Sequence, residues 1–138
     1  LGRASYDLLY LIARNLVSRQ LSLILESNFK PQYDRPRLQQ LQSEFPLRFL
    51  EILCFADGQI LFQRFKDRAL SGLRHPGHVD QLCLDEQETI LSPGKAEPLN
   101  LGEVIEINTT DFSRLDYPQI LSQIEAKFSN SPKNATIS

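Results

Sequence analysis

Phe62 to Asp80 reads FQRFKDRALSGLRHPGHVD and holds Arg64, Lys66, Arg68, Arg74 and both histidines of the chain, His75 and His78. On a helix, Arg64 and Arg68 are four residues apart and leave the same face, and Arg74 follows where the chain turns. Guanidiniums converging on one spot can hold a polyphosphate and neutralise the charge that develops as a phosphoryl group moves. The same spacing fits a solvated helix face on which Asp67 and Glu51 pair with the arginines, since surface ion pairs are ordinary.

His75-Pro76-Gly77-His78 with Asp80 is a thin ligand set for a metal. It reads better as a mobile turn. Proline fixes φ and glycine permits positive φ, so the loop could fold over a ligand with the imidazoles as donors, or be a plain surface turn. Glu26 directly follows the apolar run LSLIL at Leu21 to Leu25. At the carboxyl end of a parallel strand a carboxylate faces the ligand crevice and can hold a water of a hydrated Mg²⁺. The plainer alternative makes Glu26 and Asn28 loop or helix caps. No G-x-x-x-x-G-K-[ST], no G-x-G-x-x-G and no nucleophile triad signature occurs in the 138 residues.

The elements that must position these groups follow from periodicity. Apolar Leu9, Ile12, Ala13, Leu16 and Val17 predict a helix from Ser5 to about Arg19. Leu21 to Leu25 and Leu47 to Phe55 predict interior parallel strands, with Glu51 pointing to an edge or a partner, and Val104 to Asn108 predicts a third. Asp34 is expected to cap a helix with Pro36 in its first turn and Leu38 and Leu41 buried. Asp57 caps the next helix, from Gly58, with Leu61 and Phe65 inward and Gly72 at its end. A short helix is expected at Val79 to Gln87, a loop at Glu88 to Gly102, and a last helix capped by Asp116 with Ile120, Leu121, Ile124 and Phe128 inside. The polar tail 129–138 reads as frayed.

Composition narrows the classes. With 41% hydrophobic and 23% charged residues, 138 residues suffice for one α/β domain with a single core. A net charge of −2 supplies no broad basic face for nucleic acid or anionic lipid. Positive charge is local, which fits a small anion. No apolar run is long enough for a membrane span, and no secretion signal opens the chain. Cys54 and Cys83 lie far apart, so they read as reduced thiols of a cytoplasmic protein, with Cys54 in the core.

Taken in order, GRASYDLLYLIARNL, LILESNF, the R-x-x-x-R helix with HPGH-x-D, and PLNLGEVIEINTTD resemble the ATP-dependent small-molecule kinases of the P-loop superfamily. The zeta-toxin-like and polynucleotide-kinase-like groups, AAA-type ATPases, are the nearest. The resemblance implies a three-layer α/β fold, a parallel sheet with flanking helices, over residues 1–128. It implies ATP and Mg²⁺ as cofactors, and transfer of the γ-phosphoryl group to the hydroxyl of a small-molecule acceptor. Glu26 and Asn28 would lie beside the nucleotide, Glu26 reaching Mg²⁺ through water. Residues 62–80 would be the lid, with Arg64, Arg68 and Arg74 on the phosphates and His75 and His78 near the transferred group.

The family's phosphate loop, its lysine and its acceptor-activating acid precede the segment matching Leu1. The absence of methionine agrees, so the expectation is the C-terminal part of a kinase, inactive by itself and incomplete at the N-terminus. The strand that carries the phosphate loop would lie between those at Leu21–Leu25 and Leu47–Phe55. The two remaining strands should then either close on each other or keep unpaired edges. The alternative is a truncated, non-catalytic nucleotide-fold domain acting in protein–protein contact.

Overall fold

The computed structural model describes residues 2–72 and 83–129. Arg74, His75 and His78, with the expected helix start at Val79, lie outside the described residues. In chain order the elements are α1 (Gly2–Val17), α2 (Pro31–Glu44), β1 (Leu50–Phe55), α3 (Gly58–Leu70), α4 (Leu84–Leu91), β2 (Glu103–Asn108), a 3₁₀ turn (Phe112–Arg114) and α5 (Tyr117–Ser129). Two compact units emerge, one of Leu1–Glu51 with Glu97–Val104 and one of Ile52–Ala96 with Ile105–Ser138.

The fold is α/β, and the described strands form one two-stranded sheet, β1 beside β2. The pair is parallel, because Gly102 lies against the Phe49 carbonyl at one end and Thr109 donates to the Phe55 carbonyl at the other, at 2.7 Å. Glycine is required at 102. A Cβ there would stand 2.1 Å from the Phe49 oxygen.

The sheet is therefore smaller than the three-layer sheet expected. Leu21 to Leu25 is not a strand, since it makes no ladder with any described residue. Its side chains still alternate as an extended chain does: Leu23 and Leu25 pack on the first unit's core while Ile24 is 96% exposed. Propensity prepared an extended segment, and a strand further needs a neighbour. Of the two outcomes open for the strands at Leu21–Leu25 and Leu47–Phe55, direct closure does not occur. Cys54 is exposed rather than core, beside the half-exposed Ile52 on the same side of β1, because no second layer of described residues covers that side.

In the first unit the core is Ala13 and Val17 of α1, Leu38 and Leu41 of α2, and Leu99. Helix α1 stops through a Schellman arrangement: Leu21 donates to Leu16, Gln20 donates to Val17, and Gln20 sits at φ 61°. Helix α2 starts at Pro31, three residues before the expected cap at Asp34. Pro31 takes the first-turn place where its missing N–H costs nothing. Asp34, only 4% exposed, reaches back to the Lys30 N–H at 2.6 Å and accepts the Tyr10 hydroxyl at 2.7 Å. Pro36 is thus interior to the helix and forgoes one intrahelical bond.

In the second unit Asp57 caps α3 as expected, accepting from Gln59 and Ile60 at 2.9 and 3.2 Å. Helix α4 occupies Leu84 to Leu91 and so runs past the expected end at Gln87, which makes part of the expected loop helical. Asp116 caps α5, receiving the Gln119 N–H at 2.9 Å. Ile120 and Ile124 are half-buried, but Leu121 and Phe128 are 59% and 53% exposed and not inside. Periodicity marks an apolar face on α5, and only part of that face is buried.

Candidate functional site

Arg64 and Arg68 project from α3, and their surroundings differ. The Arg64 guanidinium is half-buried: Nη1 donates to the Thr109 carbonyl and Nη2 to the Thr110 carbonyl, both at 2.9 Å. Its Cζ lies 4.3 Å from the ring centroid of Phe112. Arg68 is exposed, lies 5.6 Å from the ring centroid of Phe65, and pairs with no carboxylate among the described residues.

Among the described residues, neither Asp67 nor Glu51 pairs with Arg64 or Arg68. Asp67 accepts from the side-chain amide of Gln63 at 2.7 Å, one turn back. Glu51 is turned to backbone, receiving the N–H groups of Leu99 at 2.8 Å and Asn100 at 3.1 Å. An interior-strand carboxylate needed a partner, and two amides of the 97–100 loop supply it.

Glu26 and Asn28 belong to the first unit, Arg64 and Arg68 to the second. Glu26 is exposed and engages no described residue, so its oxygens are available to water or a hydrated cation. Asn28 is exposed too, and its carbonyl accepts the Tyr6 hydroxyl at 3.3 Å. No cluster of three His, Cys, Asp or Glu side chains suited to a metal occurs among the described residues.

Three features escaped the sequence reading. Arg35 donates from Nε to the Leu99 carbonyl at 2.8 Å and from Nη2 to Pro98 and Glu97, both at 3.1 Å. Tyr10 and Asp34 form the buried pair already described. Burial above all, then the hydrogen bond to Asp34, pushes the Tyr10 hydroxyl well above its ordinary pKa. An open depression of about 290 Å³ lies over Tyr10 and Leu41, rimmed by Arg14 and Arg37. Its arginines are engaged, Arg14 with Glu44 and Arg37 with Asp7. Arg14, with help from Gln40, holds the Glu44 carboxyl below the usual range.

No protein-family profile matches the sequence, and neither does any curated protein. Among solved structures, a "putative kinase" from Chloroflexus aurantiacus J-10-fl superposes with a TM-score of 0.79 at 27% identity, over 95% of this chain and 68% of that one. No described helix is long and apolar enough to cross a membrane. The chain has a kinase-like α/β fold.

Proposed function

We propose that this chain is the lid-bearing part of an ATP-dependent kinase that transfers the γ-phosphoryl group to a hydroxyl of a small-molecule acceptor. The observation that carries the reading is the similarity to the Chloroflexus protein over nearly the whole chain. The P-loop resemblance of the sequence supports the finer assignment. Phosphoryl transfer asks little covalent chemistry of a protein; it asks for positioning and for positive charge where the oxygens become more negative.

Arg68 suits that demand, because its guanidinium is exposed and pairs with no carboxylate among the described residues, which suits it to phosphate oxygens. Arg74 is assigned the same task, and His75 and His78 are assigned to the transferred group. Arg64 belongs to the same lid helix. Glu26, with Asn28 beside it, would hold a water of hydrated Mg²⁺, and the ion would shield charge between the phosphates. The 138 residues hold no glycine-rich phosphate loop, so the reading requires one from residues outside them.

The test is to translate the coding DNA in frame on the 5′ side of the Leu1 codon and assay that product for ADP release from ATP and Mg²⁺. A G-x-x-x-x-G-K-[ST] segment with acceptor-dependent ADP release supports the kinase. Absence of both overturns it. A second reading, a non-catalytic module for protein–protein contact, draws on the exposed stripe of Tyr117, Leu121 and Phe128 on α5. Failure of the full-length gene product to bind ATP would favour that module.

A further inference from the structure

We infer that Arg64 is not a phosphate ligand but a positioning residue, a latch that fixes α3, and with it Arg68, to the loop Thr109–Phe112 at the carboxyl end of β2. The inference rests on the kinase reading only for what the latch is used for. The latch itself rests on where this loop's backbone groups go.

Every donor and hydroxyl described at Thr109 and Thr110 is directed at the end of β1 or into the loop. The Thr109 N–H and hydroxyl both donate to the Phe55 carbonyl, at 2.7 and 2.9 Å. The Thr110 N–H donates to Asn108 Oδ1 at 3.0 Å, and its hydroxyl oxygen accepts the Asp57 N–H at 2.9 Å, just before α3 begins. The two carbonyls lie past the end of β2, which closes at Asn108. Arg64 takes both with one planar fork and closes over Phe112.

Two of the five Arg64 donors are committed to these carbonyls, and an anion that took those two would break two charge-assisted bonds. Arg68, one turn further along the same helix, is exposed and holds no backbone carbonyl among the described residues. The division of labour between two like residues follows: the inner arginine orients the helix, the outer one meets the ligand. Asp111 strengthens the arrangement, its carboxyl held low chiefly by hydrogen bonds from Ser113, with a smaller contribution from Arg64.

A ligand and a latch respond differently to lysine. Lysine is a competent phosphate binder but a point charge, so it would rescue a ligand role. It cannot bridge two carbonyls in a plane and stack on a ring, so it would not rescue a latch. The experiment compares Arg64→Lys, Arg64→Ala, Phe112→Ala and Arg68→Ala. Amide hydrogen exchange over residues 109–114 is read in the 138-residue chain, and ADP release in the full-length gene product.

The latch predicts exchange about tenfold faster or more in both Arg64 variants and in Phe112→Ala, with Arg68→Ala unchanged. It also predicts kcat lowered by about tenfold or more in Arg64→Lys and Arg64→Ala alike, and in Phe112→Ala, which no phosphate role would touch. Unchanged exchange in Arg64→Ala overturns the latch, and so does near-normal kcat in Arg64→Lys beside a disabled Arg64→Ala. Should the unaltered protein release no ADP, the kinase reading fails by itself, and exchange still decides the latch.

Discussion

Arg35 and Glu51 hold the same residue from opposite sides: Leu99 gives its N–H to Glu51 Oε1 and its carbonyl to Arg35 Nε, each at 2.8 Å. Leu99 itself is a member of the first unit's core. Two charged side chains thus fix a loop whose backbone bends through Asn100 at φ 54°, and so set where β2 begins. The carboxylate is the more exacting half, because Asn100 also donates to it.

Replacing Glu51 by alanine should therefore leave two amides unpaired and cost about 2–3 kcal/mol. Glu51→Gln, which keeps one acceptor oxygen, should cost less. Urea unfolding of the 138-residue chain measures both. Arg35→Ala combined with Glu51→Ala should fall short of the sum, since both act through one loop. Strict additivity would show that the two do not share a task.

The Tyr10–Asp34 pair carries a pH signature. A tyrosine whose pKa is raised on folding keeps its proton where the unfolded chain has lost it, so its contribution is complete below the ordinary value of about 10 and is lost as pH rises above it. Stability should hold steady for this group through neutral pH and decline progressively as pH rises above about 10. Tyr10→Phe should cost about 1–2 kcal/mol at pH 7, having stripped a buried carboxylate of a donor. It should also flatten the alkaline decline. Equal slopes in the two proteins would dissociate Tyr10 from it.

Gln20 occupies a left-handed position that glycine fills without strain, at the end of α1. Gln20→Gly should stabilise the chain by about 0.5–1 kcal/mol, the relief of strain exceeding the added freedom of the unfolded chain. A thermal melt that moves downward would show that the glutamine side chain contributes more than its backbone costs.

What was legible in the sequence was local. Asp57 and Asp116 were read as caps because an N-cap is a contract between neighbours in the chain, and β2 was read from an alternation bounded by turns. Glu51 announced its need of a partner by its place in an apolar strand, though not which amides would meet it. The LSLIL segment failed as a strand because pairing depends on a distant neighbour that no local pattern records. Cys54, Leu121 and Phe128 are exposed for a related reason: apolar spacing marks a face without telling how much of it is buried. Arg64 is the most instructive case, since a backbone carbonyl leaves no trace in residue type. An arginine seeking two carbonyls therefore looks like one seeking a phosphate.

The separation of the two arginines gives the sharpest functional prediction. Arg68 is exposed and bonds to no described carboxylate, so its removal should change folding stability by no more than about 0.5 kcal/mol. If its guanidinium meets the phosphates, Arg68→Ala in the full-length gene product should lower kcat by about 10²–10³, because donors aimed at developing charge contribute far more in the transition state than in the folded ground state. Arg68→Lys, keeping the charge without the fork, should fall between. ADP release and thermal unfolding measured on the same preparations decide the matter. A loss of activity matched by a loss of stability would make Arg68 a structural residue, and an unchanged kcat would leave the lid helix without its ligand-binding arginine.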